Sequence, residues 1–241
     1  MINVDCSVVI PAFNEEEFIS KTIEHIQEAF TYCDIKGEVI VVDNNSTDST
    51  AEIAKGLGAM VIHEPIQQIA RARNTGAQHA NASWLIFIDA DTHMSPELLK
   101  LTLVEMRSEQ VVGGGVLLKL DESTKRTQGF IDMWNRVSKT MKLAAGCYIF
   151  CLKSTFDEIG GFNEKVYASE EIWFIKRLKK AGKRQGLGFN IIEKERVVTS
   201  ARKFAWFSPS MMALQVLIFA FFPFLCRFKI FCFLWYKRPK V

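Results

Sequence analysis

Apolar and polar positions in the first half of the chain form two patterns that alternate. Short, mostly apolar runs at residues 6–10, 38–42, 59–62 and 84–88 predict strands, and the unbroken run at 84–88 predicts a strand that is buried on both faces. Between them, apolar residues recur at helical spacing, as Ile19, Ile23, Ile26 and Phe30 do, and residues 51–57 and 66–80 are also predicted to be helical. This alternation predicts an α/β fold with a Rossmann-like, mainly parallel central sheet flanked by helices.

The pattern becomes less regular after residues 111–120. Further strands are predicted at residues 148–152, 186–192 and 195–200, and further helices at 130–141 and 170–181. A chain of 241 residues is long enough for one full domain and an appendage. We predict a domain over residues 1–203, with halves at 1–110 and 111–203, and a distinct segment over 204–241.

Aspartates stand at the ends of two predicted strands. Asp43 follows residues 38–42, and Asp89 and Asp91 follow residues 84–88. The carboxyl ends of strands form the ligand crevice of open α/β sheets. Two carboxylates so close repel each other unless a positive charge separates them, and a hard divalent cation shared with substrate phosphates would supply it. The alternative is that Asp89 caps a turn and Asp91 is solvated.

The glycine-rich phosphate motifs are missing from the sequence. No Gly-x-Gly-x-x-Gly follows an early strand, and no Gly-Lys-Ser/Thr loop is present. A dinucleotide or P-loop mode of binding is therefore not expected.

Charge is divided unevenly along the chain. Residues 1–171 contain 15 Lys and Arg against 25 Asp and Glu, whereas residues 172–241 contain 15 against 2. The basic part is expected to face an anionic partner, either nucleic acid or an acidic membrane surface. No nucleic-acid motif accompanies it, so we expect no nucleic-acid partner. The six cysteines show no metal or disulfide spacing, which indicates reduced thiols in a cytosolic compartment.

The end of the chain is both apolar and basic. A helix over residues 211–226 would be roughly 24 Å long at ~1.5 Å per residue, short of the ~30 Å hydrocarbon core of a bilayer. We therefore expect an interfacial or re-entrant membrane segment. The residues expected near headgroups are Trp206, Trp235 and Tyr236, and the cations expected near anionic lipid are Arg227, Lys229, Lys237, Arg238 and Lys240. The alternative is an apolar helix that packs on the protein or in a homodimer.

Six short motifs together resemble a known family. In chain order they are residues 7–15 (Ser-Val-Val-Ile-Pro-Ala-Phe-Asn-Glu), 41–48 (Val-Val-Asp-Asn-Asn-Ser-Thr-Asp), 72–76 (Ala-Arg-Asn-Thr-Gly), 89–91 (Asp-Ala-Asp), 160–162 (Gly-Gly-Phe) and 170–171 (Glu-Glu). The order and content are similar to those of the inverting nucleotide-sugar glycosyltransferases of family 2, which have the GT-A fold. The resemblance covers roughly residues 5–200. It implies that residues 1–110 are the nucleotide-binding half and residues 111–203 the acceptor half.

The resemblance also implies roles for individual residues. Those implied to bind the nucleotide are Pro11, Ala12, Phe13, Glu15, Asp43, Arg73 and Asp89. Asp91, with Asp89, would hold Mn²⁺ or Mg²⁺. The family's general base is usually the aspartate of a Glu-Asp pair, and here the pair is Glu170-Glu171. Glu171 inherits the role, and Glu170 is the alternative.

The implied reaction moves one sugar from a nucleoside-diphosphate sugar, expected to be UDP-linked, to a hydroxyl of a membrane glycan or glycolipid. The Gln-x-x-Arg-Trp signature of processive synthases is absent, so one transfer per encounter is expected. Arg202 would either stabilise the departing diphosphate or lie on a surface loop. The implied location is cytoplasmic, at the inner face of the cell membrane. The alternatives are a nucleotidyltransferase of related fold and an inactive, membrane-tethered nucleotide-sugar-binding module.

Overall fold

The computed structural model describes residues 4–236, except for the side chains at positions 209, 216 and 220. The strands in this range are β1 (Cys6–Ala12), β2 (Gly37–Asp43), β3 (Met60–His63), β4 (Trp84–Ile88), β5 (Thr92–His93), β6 (Val111–Leu120), β7 (Tyr148–Leu152) and β8 (Gly188–Thr199). The α-helices are α1 (Ile19–Tyr32), α2 (Thr50–Gly56), α3 (Ile69–His79), α4 (Pro96–Arg107), α5 (Lys125–Met141), α6 (Lys153–Glu158), α7 (Glu170–Arg184), α8 (Arg202–Trp206), α9 (Pro209–Phe221) and α10 (Phe233–Tyr236). Two 3₁₀ turns, Pro223–Arg227 and Lys229–Phe231, separate α9 from α10.

The described strands form one sheet in the order β3-β2-β1-β4-β7-β6-β8-β5. The first four strands in that order are mutually parallel, as the alternating pattern predicts. β7, however, is antiparallel to both β4 and β6, and β5 is antiparallel to β8. The sheet is therefore mixed, because β7 and the two-residue β5 run against the direction that the other described strands share. An apolar run shows that a strand is buried but not in which direction it runs, so the sequence pattern could not reveal these reversals.

The two strands predicted at residues 186–192 and 195–200 are one strand in the structure. β8 continues from Gly188 to Thr199 and pairs in parallel with β6. The register shifts between Val116 and Leu117 of β6, where the intervening polar residues of β8 bulge. A bulge keeps a strand continuous although its apolar pattern is interrupted, which explains why the sequence suggested two strands.

Both faces of the sheet are covered, so its central strands have almost no polar side chains. Val8, Ile10 and Ile86 belong to the core on one face, and Val9 and Phe87 to the core on the other. Phe87 packs against three further aromatic rings at centroid distances of 5.0–6.4 Å, those of Phe156, Phe162 and Phe174. Covered faces leave the carboxyl edge of the sheet as the place where polar side chains gather.

The C-terminal segment folds back onto this domain. Phe219, Cys226 and Cys232 form a small apolar cluster with Val166 and Ala168, which lie just before α7. Within residues 4–236, no helix has both the length and the apolar character needed to cross a bilayer. The apolar run is not one helix, because α9 ends at Phe221 and a 3₁₀ turn follows. Lys237, Arg238 and Lys240, predicted to lie near lipid, are outside the described residues.

Candidate active site

The carboxyl ends of β2, β1 and β4 lie side by side and form one rim. Ala12 is opposite Asp43 in the register of β1 and β2, and the backbone N–H of Asn44 donates to the carbonyl of Ala12 at 2.7 Å. Asp89, Ala90 and Asp91 follow β4, which is the other neighbour of β1. Strand order therefore brings together residues that are far apart in the sequence.

A small cavity opens at this rim. Its volume is about 100 Å³, and the residues lining it from the sheet side include Pro11, Ala12, Phe13, Glu15, Asn44, Asp89 and Asp91. These include most of the predicted nucleotide-binding residues. Asp43 is instead engaged in a turn, because one carboxylate oxygen accepts from the backbone N–H of Ser46 at 3.1 Å and the other lies 3.3 Å from His63 Nδ1. Asn44, which the sequence prediction omitted, lines the cavity.

Glu15 and Asp91 are bridged by an arginine from the far end of the domain. Arg202 donates from both terminal nitrogens to the two carboxylate oxygens of Glu15, each at 2.7 Å, and Nη2 lies 2.9 Å from Asp91 Oδ2. The guanidinium also lies over the ring of Phe18, 4.7 Å from its centroid. Glu15 lies before α1, which begins at Ile19, so Glu15 is not part of the first turn of that helix. Arg202 is partly buried here rather than free on a surface loop.

The carboxylates at the rim suit a hard cation chemically. Burial raises the pKa of Asp91 even though Arg202 and Lys203 lower it, so the positive charge already present does not fully compensate its burial. In the described part of the chain, no cluster of three or more His, Cys, Asp or Glu side chains is arranged to hold a metal. Mg²⁺, however, is commonly held by one or two carboxylates together with substrate phosphates and water. Asp89 and Asp91 supply carboxylate oxygens of this kind at the rim, and their predicted role as metal ligands stays a prediction.

Arg73 of α3 connects this rim to the start of α7. Its Nη1 donates to Glu170 Oε1 at 2.7 Å, and its Nη2 donates to Asp89 Oδ1 at 3.1 Å and to the Gly146 carbonyl at 2.9 Å. Burial lowers the pKa of Arg73, but Asp89, Glu170 and Glu171 raise it by more. The guanidinium is thus committed to protein groups, and its predicted contact with a nucleotide stays a prediction.

Glu170 and Glu171 differ in their surroundings. Both line a second cavity of about 200 Å³, together with Asp89, Asp91 and Gly146. Glu170 is buried against Arg73, whereas Glu171 is only partly buried. Burial, followed by the neighbouring Glu170 carboxylate, raises the pKa of Glu171 to about 8, and Arg73 opposes this shift in part. A carboxyl group with such a pKa can exchange a proton near neutral pH.

A side-chain clamp fixes the loop that leads to these glutamates. Asn74 of α3 donates to the carbonyl of Phe162 at 3.0 Å and accepts from its backbone N–H at 2.8 Å. Gly161 has φ +60°, and a Cβ atom there would lie 2.5 Å from Asn74 Oδ1. Phe162 in turn lies under Arg73, with 5.2 Å between the guanidinium carbon and the ring centroid. The motifs at residues 72–76 and 160–162 are therefore in direct contact, through hydrogen bonds and the packing of Arg73 on Phe162.

The C-terminal segment contributes to the site, which the sequence did not predict. Lys203, Trp206, Leu234, Trp235 and Tyr236 line the first cavity, and Trp235 also lines the second. The hydroxyl of Tyr236 accepts from the backbone N–H of Ile69 at 3.4 Å. In this structure Trp206, Trp235 and Tyr236 line the cavity, and their predicted placement near lipid headgroups stays untested. Their aromatic character was the available signal, but it does not distinguish a lipid headgroup from a base or sugar as the partner.

Comparison with known proteins identifies the kind of domain. Residues 7–160 match the model of glycosyl transferase family 2. Glycosyltransferase AglE of Haloferax volcanii is 28% identical over 188 residues, which cover 73% of this chain and 62% of AglE.

Two solved structures show the same fold. The mannosyltransferase PcManGT of Pyrobaculum calidifontis, solved with GDP-Man and Mn²⁺, superposes with a TM-score of 0.68 at 19% identity, covering 90% of this chain and 61% of that one. TarS 1–349 of S. aureus gives a TM-score of 0.64 at 17% identity, covering 90% of this chain and 66% of that one. The chain spans less than two thirds of the length of each of these three proteins.

Proposed function

Because the chain belongs to glycosyl transferase family 2, we propose that it transfers one sugar from a nucleoside-diphosphate sugar to a hydroxyl acceptor with inversion at the anomeric carbon. The observation that carries the proposal is the convergence of carboxylates. Asp89 and Asp91 line both cavities, and Glu171 lines the second one beside them. A donor diphosphate near the aspartates would thus lie next to a proton acceptor.

The donor's nucleotide is proposed to occupy the first cavity, where Pro11, Ala12, Phe13 and Glu15 lie. Asp91, with Asp89, would hold Mn²⁺ or Mg²⁺. Such a cation would neutralise charge that develops on the departing diphosphate. PcManGT was solved with GDP-Man and Mn²⁺, which supports this choice of donor class and metal.

Glu171 is proposed as the general base. The acceptor oxygen forms a bond to the anomeric carbon while the bond from that carbon to the diphosphate oxygen breaks. The electron pair of the broken bond leaves with the nucleoside diphosphate, and the acceptor proton moves to the Glu171 carboxylate. Glu170 is less suited, because Arg73 holds one of its oxygens at 2.7 Å inside the core. We assign Glu170 and Arg73 the task of positioning Glu171 and Asp89.

The acceptor is proposed to be a membrane glycan or glycolipid, reached from the cytoplasmic face. Large apolar side chains are exposed along the C-terminal segment, namely Leu214, Leu217, Phe221, Phe222, Phe224, Phe228, Ile230 and Phe231. Arg227 and Lys229 lie among them and are also exposed. An apolar face with nearby cations favours the surface of an anionic bilayer, and the 13 residues of α9 are too few to span one.

A donor screen tests the proposed reaction. Thermal unfolding with Mn²⁺ and either UDP- or GDP-linked sugars should show a raised Tm for the true donor, because a ligand that binds only the native state stabilises it. Incubation with that donor should then release a nucleoside diphosphate. Release of pyrophosphate, or the absence of stabilisation by every donor, would contradict the proposal. Asp91→Asn should lose the stabilisation by donor and Mn²⁺. Asp132→Asn, which changes an exposed aspartate of α5, is the matched control and should keep it.

A further inference from the structure

Arg202 binds Asp91, the carboxylate to which the proposed function assigns the donor's cation. Its guanidinium binds both oxygens of Glu15 and one oxygen of Asp91, at 2.7–2.9 Å. All three side chains are at most 15% exposed. A metal ion that binds Asp91 would compete with Arg202 for the same carboxylate. The bridge from Arg202 to Glu15 and Asp91 is called the arginine latch below.

The segment that follows Arg202 closes the donor cavity. Trp206, Leu234, Trp235 and Tyr236 complete its wall, leaving a volume of about 100 Å³. Pockets that accommodate a small ligand usually measure about 300–1,000 Å³. The first cavity alone is therefore smaller than a nucleoside diphosphate needs, and an outward movement of this segment would enlarge it.

The outer side of the same segment is the apolar, basic surface described above. Ile230 is 80% exposed and Phe221 76% exposed, and the exposed cation Lys229 neighbours Ile230 in the chain. On its inner side the segment touches the start of α7, because the backbone N–H of Tyr167 donates to the Cys226 carbonyl at 2.6 Å. The segment thus joins the outer apolar surface to the wall of the donor cavity and to the residues just before the helix that carries Glu170 and Glu171.

We propose that residues 202–236 form an autoinhibitory lid, held shut by the arginine latch, and that an anionic bilayer opens it. The inference rests on the proposed function, since the excluded ligand is the nucleoside diphosphate with its cation. A partner shifts a two-state equilibrium only by binding one state better than the other. The bilayer does so because the open lid can insert its apolar side chains while its cations approach anionic headgroups. The enzyme then binds donor where its acceptor is found.

The test measures how tightly the full chain binds UDP and, in parallel, GDP, each with Mn²⁺, by calorimetry. Three conditions are compared: no vesicles, phosphatidylcholine vesicles, and vesicles that also contain phosphatidylglycerol. We expect anionic vesicles to tighten nucleotide binding about tenfold, because the apparent Kd is divided by the larger fraction of open molecules. Phosphatidylcholine alone should have little effect, since it offers no anionic headgroup.

Variants separate the latch from the surface. Arg202→Gln should bind the nucleotide with Mn²⁺ about tenfold tighter than wild type without vesicles, and vesicles should add little. The double variant with Phe221→Glu and Ile230→Glu keeps the latch and should lose the response to vesicles. Arg184→Gln is the matched control, because Arg184 forms an exposed ion pair with Glu158 at 2.7 Å. It should behave as wild type.

The outcomes that overturn the proposal differ from those that overturn the proposed function. Nucleotide binding that is indifferent to anionic vesicles, or that weakens in Arg202→Gln, overturns the lid alone. Absence of UDP and GDP binding in every condition overturns the proposed function and the lid with it. Should Arg202→Gln fail to fold, the wild type and the Phe221→Glu, Ile230→Glu variant still decide between an open and a closed segment.

Discussion

Replacing Arg73 by methionine removes a buried guanidinium and leaves an apolar chain in its place. Arg73 lies 2.7 Å from Glu170 and 3.1 Å from Asp89, and the side chains of Arg73 and Glu170 are only 3% and 4% exposed. Removing one partner of a buried ion pair costs about 3–5 kcal/mol, because the other charge stays buried without compensation. We expect Arg73→Met to lower the free energy of unfolding by about that amount at pH 8.

A double-mutant cycle measured by urea unfolding assigns the loss to the pair. The variant that combines Arg73→Met with Glu170→Gln should lose less than the sum of the two single variants, by about 1–3 kcal/mol. The loss in Arg73→Met should also shrink as the pH falls, because a protonated Glu170 needs no counter-charge. Arg184→Met is the control, since its ion pair with Glu158 is 63% and 45% exposed. It should cost no more than about 1 kcal/mol.

Either of two results would show that Arg73 and Glu170 do not form a stabilising buried pair. One is a loss below about 1 kcal/mol in Arg73→Met, which is the range of an exposed pair. The other is additivity of the two single variants within about 0.5 kcal/mol, which would mean that Arg73 and Glu170 do not depend on each other. Either result would also remove their proposed role in positioning Glu171.

Three further predictions concern the glutamate and the loop beside it. Glu171→Gln should lower the rate of transfer ~10²–10⁴-fold with little change in donor affinity. Glu97 is an exposed first-turn glutamate of α4, and Glu97→Gln should leave both quantities unchanged. Steady-state kinetics measures both variants. The pKa of Glu171 is raised from 4.5 to about 8 in the folded protein, so the unfolded state loses this proton at a lower pH than the native state does. The free energy of unfolding therefore falls as the pH rises across that interval. Transfer should therefore increase with pH up to about 8 while wild type loses stability relative to Glu171→Gln; a flat pH profile of both quantities would exclude this base. Gly161→Ala should lower the free energy of unfolding by at least about 1–2 kcal/mol because Gly161 has a left-handed φ, and the clash with Asn74 should add to this loss. Gly129→Ala in α5, where a Cβ meets open space, should raise the free energy of unfolding by about 0.5–1 kcal/mol. Urea unfolding measures both changes.

The parts of the fold that could be predicted from sequence are those encoded locally. The runs that became β1, β2 and β4 are short and mostly apolar, β2 ends at Asp43 and Asp89 follows β4. The strands and the polar rim could therefore be predicted from the sequence pattern. The reversed direction of β7 leaves no such local trace. It is visible only in the pairing of β7 with β4 and β6, which are distant in the sequence.

The site shows the same division between local and distant information. Asp89 and Asp91 could be singled out because they follow β4 directly. The pairing of Arg73 with Glu170 joins residues 97 positions apart, and the bridge from Arg202 to Glu15 joins residues 187 apart. No pattern of spacing predicts such contacts, since they depend on how separate elements pack. For the same reason the tail aromatics were assigned to lipid, although they line the cavity.

Asp91 is the residue through which a cation and a nucleotide are proposed to bind together. Calorimetric titration of UDP and of GDP, with and without Mn²⁺, into wild type and Asp91→Asn measures this, with Asp132→Asn as the control. We predict Mn²⁺-dependent nucleotide binding in wild type and in the control, and its loss in Asp91→Asn. Equal, Mn²⁺-dependent binding by Asp91→Asn and wild type would contradict the account.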